Sequence, residues 1–488
     1  MMDIVLWALA AVLVFLAAYL VRSKIERQLG VFFIIRSGYG IRVIESLARW
    51  RPSVWRFFAD FSVLLSFGGV GGYYLSAYKE TRKNFHYSLF GVGLIFFAAS
   101  AFAGRWELAA SFLVLSCALP MMLYKIGSPG VNFALTAFFI FLGACVSFDY
   151  TVSALLGVFG MPAALIYVMF THGLNILEAK TNLPGVSPML PTSRGGNVGV
   201  TFPGYDLFIP WWYALIALFI TLVCHEGAHG VLVRVAKVRL KSTGILSFLS
   251  VPIGAFVEPD EEELNNKTSV DRMRVYTVGS FANLVVGVVS AGLILVLLSV
   301  FSGLVYSDGM RVVGFMDGYP AKDVLSEGAV VYSVNGKATT SLAQYRNATV
   351  DLRPGMDAVL NTSKGTYTIR LAANPDEPNK GYAGIYLLEN LKVSGAVGMF
   401  LSVGLIAFVL EALGWVAFFN VNIALVNLLP IIPFDGGRMF KEVVSTIEKS
   451  EIQVNRILYA VIAFTAVVFL VNVIPLLKMI VQFFFTLI

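Results

Sequence analysis

Residues 220–233 read ITLVCHEGAHGVLV, a run that places His225, Glu226 and His229 in the pattern His-Glu-x-x-His among apolar neighbours. Side chains four positions apart share one face of a helix, so both imidazoles could bind one Zn²⁺ while Glu226 acts as general base. With 4 histidines and 30 acidic residues among 488, chance supplies this pattern only about 0.002 times per chain of this length. We therefore predict a site for one zinc ion on a helix.

The rest of the chain is unusually apolar. Apolar residues make up 57% of it and charged residues 14%, against roughly 25% charged in soluble domains, which excludes a single soluble globule. A helix needs about 20 apolar residues to cross a bilayer core of roughly 30 Å. Such runs lie near 3–21, 60–78, 87–104, 106–124, 131–150, 153–174, 210–236 and 274–302, and the stretches 394–430 and 456–488 hold two to four more. The sequence predicts a polytopic α-helical membrane protein.

The distribution of basic residues predicts how the chain is oriented. The loop 22–59 carries eight Lys and Arg residues, which is typical of a cytoplasmic loop. Alternation of the spans from there places the basic end of the run 210–236 on the same side. We expect a multi-pass protein of the cell membrane whose active site faces the cytoplasm. The basic balance indicates contact with lipid headgroups and no nucleic-acid partner.

A catalytic zinc ion needs a third protein ligand and an open position. The best candidate is Asp435, a lone carboxylate before two glycines in the run NVNIALVNLLPIIPFDGGRMF. Pro430 and Pro433 would interrupt a helix just before it and let the carboxylate turn toward a neighbouring span. The alternative is an Asp-Gly turn or a helix N-cap. We interpret His86 and His172 as interfacial histidines rather than ligands.

Residues 304–392 break the apolar pattern. They are polar and alternate like strands in MRVVGF, AVVYSVNG, TYTIRLAA and GYAGIYLL, with Asn335-Gly336 as a hairpin turn signal. We predict a small β-rich soluble domain inserted between two spans, outside the cytoplasm by the same alternation.

The two motifs together resemble a known family. An H-E-x-x-H in a membrane span, followed far downstream by N-x-x-P-x-x-x-x-D-G from Asn427 onward, is similar to the site-2 protease family of intramembrane zinc metalloproteases. The resemblance implies that His225, His229 and Asp435 hold zinc and that Glu226 is the general base. It also implies that Asn427 and Asn422 help to hold an unwound substrate, and that Gly279 and Asn283 match the Gly-x-x-x-Asn of the intervening span, with Asn283 as a further substrate contact. Ser280 and Phe434 depart from the family's usual Pro and Leu, and neither is a ligand.

The resemblance covers about residues 205–450 and organises the chain. Residues 318–340 resemble a PDZ domain, and residues 238–260 resemble the membrane-associated β-hairpin beside the family's active site. The extra spans near the N-terminus are similar to those of archaeal-type members. We therefore predict four segments, which are accessory transmembrane helices over 1–175, a first catalytic part over 205–303, a PDZ-like domain over 304–392 and a second catalytic part over 393–488.

The function predicted in this way is hydrolysis of a peptide bond in or next to a transmembrane helix, as in regulated intramembrane proteolysis. The expected partners are the lipid bilayer, a membrane-protein substrate and a peptide or protein ligand of the PDZ-like domain. Two alternatives stay open. One is a metal-ion transporter with the same three ligands, although the sequence shows none of the paired repeats typical of transporters. The other is a non-catalytic receptor with a PDZ-like module.

Overall fold

Helices make up most of the computed structural model, which describes residues 25–28, 32–126, 128–248, 251–394 and 402–486. In this part of the chain six helical segments are long and apolar enough to cross a membrane: Arg82–Phe102, Trp106–Leu123, Trp211–Val235, Ser269–Ser302, Val403–Asn427 and Glu451–Gln482. The second continues to Ile126 and the sixth to Thr486. These helices support a multi-pass membrane protein. The remaining α-helices are Tyr39–Arg49, Pro52–Ala77, Pro129–Ala144, Tyr150–Phe159, Met161–Leu177, Glu261–Asn265, Leu342–Thr349 and Asp435–Ile447, and Pro320–Asp323 forms a short 3₁₀ helix.

Three of the predicted spans were wrong as single long helices. The run 60–78 belongs to the helix Pro52–Ala77, which is non-helical at Gly68 and is not among the six. The helix in the run 131–150 ends at Ala144. Asp149 then caps the next helix, where its side chain accepts hydrogen bonds from two backbone amides. The run 153–174 is broken at Gly160, where φ is 80° and a Cβ would lie 2.0 Å from a backbone oxygen of a neighbouring helix. The predicted span 3–21 lies outside the described residues.

The chain divides into two units, Met1–Ser290 with Trp415–Ile488, and Ala291–Gly414. The second unit holds the strands Val305–Phe315, Val330–Val334, Lys337–Ala338, Asp357–Thr362, Gly365–Arg370 and Ile385–Val393 in one antiparallel sheet. Asn335 and Gly336 turn the predicted hairpin with positive φ at both positions. Met310, Val331 and Ile369 lie in its hydrophobic core. Two short strands, Ala372–Ala373 and Gly381–Tyr382, form a separate ladder.

A β-hairpin follows the motif helix, our name for Trp211–Val235. Its strands, Leu240–Phe248 and Val251–Pro259, pair antiparallel, so the hairpin expected over 238–260 is confirmed. Two unpredicted strands, Ile25–Gln28 and Phe32–Ser37, extend the sheet on the Leu240–Phe248 side and leave Val251–Pro259 at an edge. Three further strands, Leu190–Arg194, Asn197–Thr201 and Phe208–Pro210, lead into the motif helix.

Charged side chains join this sheet across its strands. Arg36 donates to Ser242 and forms an ion pair with Glu258. The Ser242 hydroxyl and the Arg36 guanidinium together lower the pKa of Glu258. The N-terminal strands are therefore attached to the hairpin by side chains as well as by backbone hydrogen bonds.

A buried ion pair joins the helix Pro52–Ala77 to the helix Ser269–Ser302. Arg274 Nε and Nη2 donate to the two Asp60 oxygens over 2.7 and 2.8 Å, and Asn84 Nδ2 donates to the same carboxylate over 2.7 Å. Asp60 is 1% exposed and Arg274 is 5% exposed. Both charges are therefore compensated by each other in an interior that offers little water.

Asp60→Ala should lower the free energy of unfolding by about 3–5 kcal/mol, because it leaves the buried Arg274 guanidinium with only the more distant Asp271 carboxylate, 3.7 Å away. Thermal or denaturant unfolding of the purified protein in detergent measures this loss. The double variant Asp60→Leu with Arg274→Met removes both charges and should lose less. A single variant that is no less stable than the double variant would contradict the pairing.

Candidate metal centre

His225 and His229 project from one face of the motif helix, as their spacing requires. Asp435 is the first residue of the helix Asp435–Ile447, and the non-helical residues 428–434 separate it from the preceding helix. Pro430 and Pro433 lie in this break, as the sequence predicted. A Cβ on Gly436 would lie 2.3 Å from a backbone oxygen of residue 428, so glycine allows the new helix to begin close against the break.

The three side chains converge on one point. His225 Nε2 lies 3.2 Å from His229 Nε2 and 3.2 Å from Asp435 Oδ2, and His229 Nε2 lies 3.1 Å from the same oxygen. Tetrahedral ligands that hold zinc at about 2.1 Å stand about 3.4 Å apart. These two nitrogens and one oxygen form a triangle, which we call the ligand triangle. Its size and its kinds of ligand atom fit zinc. Within the described residues this is the one group of three or more potential ligands.

The far ring nitrogens of both histidines have polar neighbours of the kind that metal ligands need. His229 Nδ1–H donates to the backbone oxygen of Val275 over 2.6 Å. His225 Nδ1 lies 3.1 Å from the Asn283 amide, whose Oδ1 is buried without a partner among the described residues. A half-turn of that amide lets Oδ1 accept from Nδ1–H, which leaves the Nε2 lone pair of His225 directed at the triangle.

Gly279 explains why the facing helix can approach the histidines so closely. A Cβ built there would lie 2.3 Å from His229 Nε2 and 2.8 Å from His225 Nε2. Any larger residue would push the helix Ser269–Ser302 away from the imidazoles or occupy the place of the ion. In the Gly-x-x-x-Asn pattern, Gly279 therefore allows the helix to approach the histidines closely. Asn283, one helical turn further on, lies within hydrogen-bond distance of His225.

Glu226 faces the same cavity as the triangle. The cavity has a volume of about 350 Å³, and Glu226, Asn427 and Asp435 are among the residues that line it. Glu226 Oε2 accepts a hydrogen bond from the backbone N–H of Val257, on the edge strand of the sheet, over 3.1 Å. The strand therefore orients the carboxylate toward the cavity that the ligand candidates also line.

The other predicted residues are placed differently. Asn427 lines the cavity, whereas Asn422 is exposed and donates to the backbone oxygen of Phe418 over 2.8 Å. Asn283 is fully buried, so it positions His225 rather than facing the cavity. His172 lies 3.1 Å from the backbone oxygen of Leu183, and neither it nor His86 belongs to the ligand group. The substrate roles of the asparagines stay predictions.

Several groups at the site were missed by the sequence analysis. The Arg438 guanidinium lies 5.6 Å from the ring centre of Tyr276, and both residues line the cavity. Arg438 follows Asp435 by one helical turn, a spacing that could have indicated it. The sequence could not indicate the contacts of the Val257 N–H and the Val275 backbone oxygen. Nearly every residue type carries these backbone groups, so residue type does not distinguish them.

Two histidines, a neighbouring glutamate and a distant carboxylate lie together among membrane-length helices, and this combination is typical of the class of membrane metalloproteases. The chain belongs to peptidase family M50, the site-2 protease family, whose model matches residues 213–471, so the family predicted from the sequence is confirmed.

Two relatives are similar to this chain over about half of its length or more. An uncharacterized protein of Methanocaldococcus jannaschii is 29% identical over 292 residues, which cover 59% of this chain and 70% of that protein. A protein of Clostridium perfringens, provisionally named a zinc metalloprotease, is 22% identical over 309 residues, which cover 49% of this chain and 89% of its own length.

Proposed function

We propose that the chain is a zinc-dependent intramembrane endopeptidase, which hydrolyses a peptide bond in or beside a transmembrane helix of a membrane protein. The observation that carries the proposal is the convergence of His225, His229 and Asp435 with Glu226 in one cavity beside a membrane-length helix. Family membership supports the protease activity. The zinc ion, its number and the membrane substrate are our extension of it.

Each residue has a separate task in the proposed reaction. His225, His229 and Asp435 would hold one zinc ion, which when bound supplies a Lewis acid that makes water nucleophilic near neutral pH and polarises the scissile carbonyl. Glu226 accepts the proton of the attacking water and then donates it to the nitrogen of the leaving amine. Asn427, at the cavity wall, is placed to hydrogen-bond to the substrate backbone.

The substrate must present an extended segment, because a helix keeps its carbonyls in hydrogen bonds to its own backbone. The strand Val251–Pro259 lies at the edge of its sheet and borders the cavity through Val257 and Pro259. An unwound segment could therefore pair with this edge and recover the backbone hydrogen bonds it loses. Regulated intramembrane proteolysis is the physiological setting that we propose for such a cleavage.

We propose that the β-rich part of the second unit is a PDZ-like domain. Its sheet ends in the edge strand Ile385–Val393, and the N-terminus of the helix Leu342–Thr349 is attached to that strand where the Leu342 N–H donates to Glu389 over 2.7 Å. PDZ domains bind a peptide as an added strand at such an edge. A peptide or protein ligand on the extracytoplasmic side, with the active site toward the cytoplasm, is the arrangement that the basic loops favour.

Removal of the metal tests the activity. The purified full-length chain in detergent should cleave a model transmembrane peptide, lose cleavage on treatment with a zinc chelator, and recover it when one equivalent of Zn²⁺ is restored. Mass spectrometry of the products locates the cut. A cut outside the transmembrane segment and its borders would contradict the intramembrane assignment.

The two alternatives predict other results. A transporter would move Zn²⁺ across the membrane of a sealed vesicle without cutting peptide, and a receptor would bind peptide through the second unit with or without zinc. Cleavage that survives complete removal of the metal would contradict the proposed chemistry. The transport assay in parallel therefore separates a failed protease from a transporter.

A further inference from the structure

A second cavity lies at the far end of the motif helix. It has a volume of about 210 Å³, and it is lined by the charged side chains Glu45, Arg49, Arg56, Arg234 and Lys237 together with Pro52. Four cations thus surround one carboxylate. The volume is below the roughly 300–1,000 Å³ of pockets that enclose whole drug-sized ligands, and it suits a compact anionic group.

Only part of this positive charge is compensated within the described residues. Glu45 Oε1 lies 3.0 Å from Arg234 Nη2, and Glu45 Oε2 lies 3.7 Å from Arg49. Arg56 and Lys237 have no ion-pair partner in the described part of the chain, so three positive charges remain in excess around the cavity. Such an excess at a concave site raises the local concentration of anions.

Three helix ends meet at the cavity, namely the start of the helix at Pro52 and the C-terminal ends of the helix Tyr39–Arg49 and of the motif helix. Pro52 begins a helix of 26 residues, whose first amides carry the positive end of the helix dipole. The last carbonyls of the motif helix are already occupied, because the amides of Ala236, Lys237 and Val238 donate back to it. The attraction for an anion in the cavity therefore comes chiefly from the four cationic side chains.

The surroundings indicate that the anion belongs to a lipid. The cavity lies where the apolar motif helix ends at Val235, which is the level of the headgroups. The helix Tyr39–Arg49 exposes Val43 and Leu47, and Trp50 directly after it is 61% exposed and meets Trp55 edge to face at 6.5 Å. An interfacial helix with exposed apolar residues and tryptophan is typical of a membrane surface.

We propose that this cavity binds the phosphate of an anionic phospholipid headgroup, with Arg56 and Lys237 as the main contacts. The bound headgroup would join the N-terminal helices to the motif helix, on which Arg234 follows His229 by five residues. The proposal goes beyond proteolysis, since it assigns a lipid ligand to a site outside the catalytic cavity.

Delipidated full-length protein in detergent tests the proposal. Native mass spectrometry with added short-chain phosphatidylglycerol, and with phosphatidylcholine of the same chain length, measures the two affinities. We expect a saturable site for phosphatidylglycerol that is about thirty-fold weaker in the double variant Arg56→Gln with Lys237→Asn. This equals about 2 kcal/mol for two cations near a headgroup, at about 1.4 kcal/mol per tenfold change. Asn suits position 237 because φ there is 59°.

Two further variants are controls. They test whether the loss of lipid affinity comes from removing charge at the cavity, or from removing charge elsewhere or disturbing the fold. Lys79→Asn with Arg105→Gln removes the same charge from exposed positions outside the cavity and should leave the affinity unchanged. Arg56→Lys with Lys237→Arg keeps the charge and should keep binding. Equal weakening in the Lys79 and Arg105 variant, or equal affinity for both lipids, would overturn the proposal. Displacement of the lipid by millimolar inorganic phosphate would assign the cavity to free phosphate instead of a headgroup.

Discussion

Glu226→Gln should lower kcat for peptide cleavage by about 10²–10⁴-fold, the range that a positioned general base contributes. Gln keeps the length of the side chain and an oxygen that can accept from the Val257 N–H, so the local structure should persist. It cannot take a proton from water at neutral pH. The three ligand atoms lie outside the substitution, so zinc content should stay at the wild-type level, and metal analysis of the same preparation measures this.

The neighbouring surface supplies a matched control for Glu226→Gln. Glu262 is exposed on the short helix Glu261–Asn265 and does not line the cavity. Glu262→Gln makes the same chemical change and should cleave like the wild type. Full activity in the Glu226 variant with normal zinc would remove Glu226 from the reaction and shift the proposal toward transport or peptide binding. In cells, an uncut membrane protein that accumulates only with Glu226→Gln would identify a substrate.

The structure brings together the three ligand candidates that the sequence predicts, whereas several predicted spans differ from the observed helices. His225 and His229 owe their geometry to helical periodicity, which is local, and Asp435 was found because prolines and glycines interrupt an otherwise apolar run. Asn283 was indicated by the family's Gly-x-x-x-Asn pattern, and its substrate contact stays a prediction. Its full burial against His225 depends on how two helices pack, and no single segment contains that information.

The errors in the fold arise from contacts between distant segments. The strand Phe32–Ser37 was missed because its partner Thr243–Phe248 lies more than 200 residues away, and that pairing determines its conformation. The run 153–174 has the composition of one span, yet Gly160 turns the chain where it touches Ser66. The basic residues of 22–59 indicated a loop and the apolar composition of 153–174 indicated one span, and in both segments tertiary contacts decided the local structure.

Asp435→Ala should weaken zinc binding by more than about 100-fold, beyond the roughly 10–100-fold loss typical of an outer-shell partner. The substitution removes one of three protein ligands and leaves two neutral imidazoles, which are a poor site for a divalent cation in a largely buried cavity. Cleavage should fall in parallel. Competition with a chromophoric zinc chelator, on protein whose folding is confirmed by thermal unfolding, measures the affinity.

Asn283→Ala is the comparison for Asp435→Ala. The loss of zinc affinity in the two variants distinguishes a metal ligand from a residue that only positions a ligand. Asn283 touches His225 through Nδ1 and not through the metal-facing nitrogen, so its loss should weaken zinc within the outer-shell range while Asp435→Ala exceeds it. The order of the two effects follows from the geometry, since one side chain lies in the triangle and the other lies behind it. Equal losses in both variants would mean that Asp435 supports a histidine instead of binding the ion, and the third ligand would then have to come from another residue.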